Sequence, residues 1–197
     1  MRARLGAALL PALLVGCGSA PPAALAGRFV DLDGAGHDPL RVEGAPAHVL
    51  VFLLSDCPIA NAYAPEIRAI RRAFEPAGVR FFLVHVDPAL DVEAARAHAR
   101  EYGHAGPVLI DRGHELVRAT GVTVTPEAAV LGPGGELLYR GRIDDLYADV
   151  GRKRHRATNH DLRAALAAIV AGQPPPVART TAVGCFIADV AATGDGR

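Results

Sequence analysis

Residues 48–54, HVLVFLL, and residues 78–86, GVRFFLVHV, are near-continuous apolar runs without polar alternation. A strand with one wet face alternates polar and apolar side chains. A run like these has to be buried on both faces, as in the covered sheets of α/β proteins. Cover is at hand in the sequence. Apolar positions at helical spacing follow the first run as far as Phe74, and residues 92–102 form an Ala-rich amphipathic segment stopped by Gly103. Strands alternating with helices predict an α/β sandwich.

The rest of the chain fills in that plan. Residues 28–33 alternate, Gly34-Ala-Gly36 breaks them, and residues 39–42 resume, as in an N-terminal β-hairpin. Residues 107–110 read as a short strand and residues 114–120 as a short helix stopped by Gly121. Residues 128–131 and 136–140 flank Gly-Pro-Gly-Gly and predict an antiparallel hairpin. Residues 161–170 predict a closing amphipathic helix, capped by Asn159 and ended by Gly172. The Pro174-Pro-Pro176 break then opens a C-terminal extension over residues 173–197. No internal repeat divides the chain, so residues 28–172 are expected to be one domain.

Charge and composition remove several function classes. Lys+Arg 21 against Asp+Glu 21 leaves a formal charge of zero, so no global field draws the protein to nucleic acid. Without Trp, and with four Tyr, there is little to stack bases or sugars. Half the residues are apolar, which excludes wholesale disorder.

The N-terminus predicts a destination. Residues 1–4 are cationic and residues 5–16 are apolar, a stretch shorter than the roughly 20 residues that span a bilayer. The stretch ends in Leu-Val-Gly-Cys17, which resembles the lipobox of bacterial lipoproteins. That resemblance implies cleavage before Cys17, diacylation of its thiol, and a lipid-anchored protein of the cell envelope. Residues 1–16 would then be the signal peptide and residues 17–27 a tether. The alternative is an ordinary signal peptide with an incidental cysteine. Either route places Cys57 and Cys185 outside the reducing cytosol, where disulfides persist.

Cys57 lies between a buried strand and the start of a helix, followed by Pro58 in the first turn and preceded by Ser55-Asp56 as the expected capping pair. Amides at a helix N-terminus and the helix dipole favour a thiolate, so Cys57 is expected to be acidic and nucleophilic. The wider pattern is similar to the thioredoxin-like superfamily. Residues 57–65, CPIANAYAP, resemble its active-site helix, and Thr125-Pro126 resembles its cis-proline loop. Within that superfamily, residues 55–67 (SDCPIANAYAPEI), residues 141–154 (GRIDDLYADVGRKR) and the late Val-Gly-Cys-Phe-Ile187 are similar to redoxins and the alkyl hydroperoxide reductase/thiol-specific antioxidant group. The resemblance implies a thioredoxin-like three-layer sandwich, a redox role for Cys57, and a cis Thr125–Pro126 loop that faces the sulfur and pairs with substrate backbone.

Two departures qualify it. The fourth motif position is Ala60, so no Cys-x-x-Cys disulfide can form. The peroxidase position three residues before the cysteine is Leu54, not Thr or Ser, and Ser55 is one residue off. Weight therefore falls on Cys185, which the extension would return to the active-site face as a resolving thiol. A buried, unpaired tail cysteine is the plainer alternative. Tyr63 and Asn61, on the first turns of the helix, are candidates to gate or bond the sulfur, with plain packing the other reading.

Eight histidines show no ligand spacing: His85 is expected to be a hydrogen-bonded residue at a strand end, and His98, His104 and His114 sit in helix or loop settings. His155 and His160 flank the last helix, within conceivable reach of a thiol site. Residues 151–156, GRKRHR, read as a solvated basic loop, with Asp144-Asp145 placed to neutralise it. No metal set and no cofactor is implied. Three readings stand: an envelope thiol oxidoreductase acting on protein thiols and disulfides, or on peroxide; a non-catalytic binding module stapled by Cys57 and Cys185; and copper handling by Cys57, Cys185 and one histidine.

Overall fold

The computed structural model describes residues 29–188; the leader, Cys17 and the tether lie outside the described residues, as do residues 189–197. In chain order the elements are β1 (Phe29–Val30), β2 (Gly36–His37), β3 (His48–Leu53), α1 (Pro58–Ala62), α2 (Ala64–Phe74), β4 (Arg80–His85), α3 (Val92–Glu101) and β5 (Val108–Ile110). There follow α4 (Glu115–Thr120), β6 (Val124–Thr125), β7 (Glu127–Leu131), β8 (Leu137–Gly141), β9 (Tyr147–Asp149), β10 (Arg152–Lys153), α5 (Asp161–Val170) and β11 (Cys185–Phe186).

The central sheet has the order β5-β4-β3-β7-β8. β3, β4 and β5 run parallel, and β7 and β8 close the sheet antiparallel. The two apolar runs are its central strands, β3 and β4. Along β3 the side chains alternate between two cores, because successive residues of a strand point to opposite faces. Val49, Val51 and Leu53 pack with Ile59, Ile67 and Ile70 of α1 and α2 and with Leu162, Leu166 and Ile169 of α5. Leu50 and Phe52 pack with Phe82, Val84, Leu109 and Leu116 of β4, β5 and α4. Helices on both faces of a mixed sheet give the three-layer sandwich that the resemblance implies.

Several local expectations are corrected. The second arm of the N-terminal hairpin is Gly36–His37, not residues 39–42: Phe29 pairs with His37, and Asp31 folds the turn by accepting from the amides of Asp33 and Ala35. The helix that begins at Pro58 is broken at Tyr63, whose amide bonds back to Ile59 and Ala60; Pro65 then opens the second helix in its first turn, where its missing amide costs nothing. His160 rather than Asn159 occupies the cap position of α5 and makes no side-chain cap. Asn159 is spent elsewhere, donating from its amide and its side chain to Asp145.

The extension is laid along the domain. The Arg140 amide donates to Ala178 O and the Thr180 amide to Arg140 O, extending the β8 edge. Thr180 Oγ1 accepts from the Arg142 amide at 3.0 Å and meets the Tyr139 hydroxyl at 2.8 Å. From there the chain crosses to β6, where Cys185 pairs with Thr125 and Phe186 with Val124 in antiparallel register.

Candidate active site

Chain connectivity and packing put Cys57 at the meeting of three elements. β3 carries the chain out of the core and α1 begins at Pro58, so Cys57 itself is the N-cap, in extended conformation. This corrects the expected Ser55-Asp56 cap. Sγ accepts from the Ala60 amide at 3.5 Å, doing the work that a Ser or Asp oxygen does at other helix starts. As a thiol, Cys57 donates to the Thr125 carbonyl at 3.2 Å. The Thr125–Pro126 bond is cis, and the loop faces the sulfur. Val183 and Cys185 of the extension pack against the same cluster, and Cys57 is left 1% exposed.

Cys185 sits across the strand pair from Thr125, the residue whose carbonyl holds the Cys57 thiol. Both cysteines are free thiols. Burial pushes the Cys57 thiol up, but hydrogen bonds from the Cys185 thiol, the Ala60 amide, Thr125 and the Cys185 amide outweigh it, and the net shift is down. Among the described residues Thr125 Oγ1 has no hydrogen-bond partner, so its proton is free to turn to a thiolate. The Cys185 thiol is pushed up to about 12 by burial, by its hydrogen bond to Cys57, and by the charges of Cys57 and Asp56. The two thiols titrate as a coupled pair, with Cys57 shifted down and Cys185 up.

Gly184 permits the approach. A Cβ there would lie 2.6 Å from the Thr125 carbonyl carbon and closer still to its oxygen. The loop itself is braced by Glu127, 4% exposed, which accepts from the Thr123 amide at 2.9 Å and the Val124 amide at 3.5 Å and lies 3.5 Å from Arg140 Nε. Sequence reasoning missed both residues. The Gly-Cys dipeptide was a signal for close backbone approach, whereas nothing local marks Glu127.

Asn61 and Tyr63 are committed away from the sulfur. Asn61 Nδ2 donates to Ser55 O at 2.9 Å and its Oδ1 meets His98 Nε2 at 2.8 Å, so it tethers the loop before Cys57 to α3. The Tyr63 hydroxyl donates to Asp144 Oδ1 at 2.6 Å; burial and this carboxylate raise its pKa. Tyr63 thereby ties the break between α1 and α2 to the loop after β8.

His85, His98 and His104, separate in sequence, come together behind α1, with ring centroids 4.9 Å apart for the first pair and 5.5 Å for the second. His85 ends β4 as expected but is not hydrogen-bonded among the described residues: both ring nitrogens are buried without partners there. Burial and the neighbouring imidazoles lower its pKa to about 3, and burial with nearby His98, Arg68 and Arg71 lowers that of His104 to about 4. The cluster is therefore neutral at physiological pH. Glu66, Asp144 and His160 each offer a ligand atom within 4.8 Å of the others, but Glu66 is paired to Arg163 and Asp144 to Tyr63. His155 and the basic run lie exposed. Lys153 stands over Tyr147, and Arg154 lies 3.8 Å from Asp145, which is the extent of neutralisation in cis.

A family model described as Redoxin matches residues 20–149. Among solved structures, an uncharacterised conserved protein of Geobacillus kaustophilus is similar at 25% identity and TM-score 0.71, with 81% of this chain and 86% of that chain covered. A hypothetical protein of Sinorhizobium meliloti 1021 is similar at 21% identity and TM-score 0.69, covering 81% and 88%. A secreted Mycobacterium tuberculosis disulfide oxidoreductase shares the fold at 22% identity and TM-score 0.51, covering 73% and 93%. Comparison with curated proteins gave no match.

Proposed function

Because the chain belongs to the redoxin family, we propose that it is a thiol–disulfide oxidoreductase in which Cys57 attacks and Cys185, delivered by the extension, resolves. One observation carries this reading: the extension pairs with the cis-proline loop in the register that sets Cys185 opposite Thr125, whose carbonyl holds the Cys57 thiol. The missing fourth-position cysteine is thus replaced by one from the far end of the chain.

The Cys57 thiolate attacks one sulfur of a substrate disulfide, forms a mixed disulfide and releases the other substrate thiolate. Cys185 then attacks Cys57 Sγ, the second substrate thiolate leaves, and the Cys57–Cys185 disulfide remains. Two protein thiols are oxidised and one disulfide is reduced. The timing follows from electrostatics. While Cys57 is a thiolate, its charge holds the proton on Cys185. Once Cys57 is in a mixed disulfide that charge is gone, and Cys185 ionises more readily. Since Cys57 is 1% exposed, substrate reaches it only when residues 183–187 lift from the loop. A disulfide rather than a peroxide is the favoured electrophile, because Leu54 stands where a peroxide-orienting hydroxyl is needed.

Residues 1–16 act in this reading as a signal peptide, Cys17 as the lipidated residue, residues 17–27 as a tether, residues 28–172 as the redoxin domain and residues 173–197 as its extension, on an envelope protein. Cys17→Ser is expected to release it from membranes, and wild-type protein without lipid mass would refute the anchor. The catalytic reading is tested by stopped-flow reaction of reduced protein with a model disulfide and with peroxide, Cys57→Ser serving as control. Fast, Cys57-dependent reduction of the disulfide, closing to a Cys57–Cys185 peptide, supports it. A Cys57 no more reactive than Cys185, with no cross-linked peptide, overturns it.

A further inference from the structure

His85, His98 and His104 come from three places in the chain: the end of β4, the last turn of α3 and the loop beyond it. They form one cluster, in which His85 is 0% and His98 6% exposed. Nothing in the thiol chemistry at Cys57 calls on it. Buried polar atoms are ordinarily hydrogen-bonded, because leaving them unpaired is costly. Yet five of the six ring nitrogens have no partner among the described residues: both of His85, both of His104, and Nδ1 of His98.

The sixth nitrogen fixes what the cluster offers. Asn61 Nδ2 donates to Ser55 O at 2.9 Å, which turns its Oδ1 toward His98 Nε2 at 2.8 Å. An amide oxygen only accepts, so Nε2 carries the ring proton and Nδ1 is a bare lone pair inside the protein. A ring that donates one N–H to an oxygen and keeps its other nitrogen free is oriented as metal-binding histidines are. The rings also have the right spacing. Two imidazoles on one tetrahedral ion, with metal–nitrogen bonds of about 2.0–2.1 Å, put their ring centres about 5 Å apart. The observed separations are 4.9 Å for His85 and His98 and 5.5 Å for His98 and His104. The ring nitrogens are not yet close enough together to share an ion. The motion that aims them is rotation about the last side-chain torsion, which is broad in histidine.

From the bare lone pair, the spacing and the unpartnered nitrogens we infer a binding site for a divalent transition-metal ion of the zinc type, held by His85, His98 Nδ1 and His104. Imidazole suits such ions, whereas calcium and magnesium take oxygen ligands. A ligating ring has to be neutral, and burial keeps His85 and His104 so; the ion has no proton to displace. The nearby charges balance. Arg68 and Arg71 face His104, but Arg71 is paired to Glu75, and Glu101 stands near His98. His104, the part-buried member, borders a cleft between the N-terminal hairpin and α3 that Asp33 and Arg100 also line. The cleft gives the ion a way in and leaves its fourth position to water. Bound there, the ion would tie β4 to α3 and, through Asn61, to the loop that precedes Cys57. The site is independent of the thiol cycle proposed above.

The probe is Zn2+ itself, competed against a chromophoric chelator on metal-free, full-length protein. The expected result is one tight equivalent, with affinity lowered at least about tenfold in His85→Leu and in His104→Leu and unchanged in Cys57→Ser and in His160→Ala. The His160 variant controls for the Glu66, Asp144 and His160 group. His85→Leu should fold, because leucine replaces two unpartnered nitrogens. Its metal-free thermal midpoint should equal or exceed the wild-type value, while the rise that Zn2+ gives the wild type is lost. A reading that needs no variant is nitrogen NMR of the wild-type imidazoles: Zn2+ should shift His98 Nδ1 and leave the proton on Nε2. Each of three results overturns the site: no bound equivalent, binding lost with Cys57 or His160 instead of His85 and His104, or an unmoved His98 Nδ1 resonance.

Discussion

Gly184→Ala isolates the docking of the extension from the rest of the fold. The added Cβ would sit 2.6 Å from the Thr125 carbonyl carbon and 3.2 Å from Pro126 N. Carbon atoms pack at about 3.5–4.0 Å, so β11 has to retreat from β6 by about 1 Å. A shift of that size breaks the pairing of Cys185 with Thr125 and the bond from the Ile187 amide to Thr123 O, now 3.0 Å. Two backbone hydrogen bonds at about 1 kcal/mol net each give about 2 kcal/mol, or roughly a 30-fold loss in the docked fraction at 1.4 kcal/mol per factor of ten. Residue 184 is no part of the five-stranded sheet, so circular dichroism should be unchanged. Two readouts should move together. Alkylation of Cys57, measured at a pH where it is fully ionised, should accelerate about 30-fold. The Cys57–Cys185 disulfide should be about 30-fold easier to reduce in a glutathione buffer, since the effective concentration of its partner has fallen. Wild-type values for both, in a folded variant, would refute the docking argument.

Stability should follow the opposite pKa shifts of the two thiols. A folded Cys57 that ionises below the ordinary value of about 8.5 contributes stability that is complete above 8.5 and is lost as pH falls through its folded value. Cys185, raised to about 12, has the opposite sign, so denaturant midpoints should drop again between about 8.5 and 12. Thiolate absorbance should show one step below the usual cysteine range and a second near 12, and Cys185→Ala should move the first step up. Tyr63→Phe removes a buried hydrogen bond to a carboxylate, worth about 1.5–3 kcal/mol in urea unfolding; its Cys57 alkylation rate should stay at the wild-type value, because the hydroxyl is spent on Asp144. A slower rate would return Tyr63 to the sulfur.

Much of the architecture was legible because it depends on period and punctuation. The runs at residues 48–54 and 78–86 could be buried only on both faces, and they became β3 and β4. Pro58 after Cys57 announced a helix start, and the resemblance of Thr125-Pro126 to a cis-proline loop implied that it faces the sulfur. What misled were local rules with more than one satisfying residue. Cys57 took the capping role that Ser55-Asp56 was expected to fill, and at α5 the cap position fell to His160, while Asn159, one residue earlier, gives its two donors to Asp145.

The sequence by itself determined the sandwich, the position of Cys57 at a helix start, and the absence of a partner at Ala60. Each is a statement about neighbours within a few residues, where backbone geometry leaves few choices. Only the tertiary structure decided that Cys185 meets Cys57, that Glu127 braces the loop between them, and that His85, His98 and His104 share one buried site. These contacts join residues far apart in the chain, and no local period encodes them. Their energies come from strand register and from burial, which exist only once the sheet has formed. The extension shows why most plainly: nothing in Val-Gly-Cys-Phe-Ile187 points to Thr125, and it is the free edge of β6, together with the missing side chain at Gly184, that brings the two backbones close enough for Cys185 to lower the pKa of Cys57.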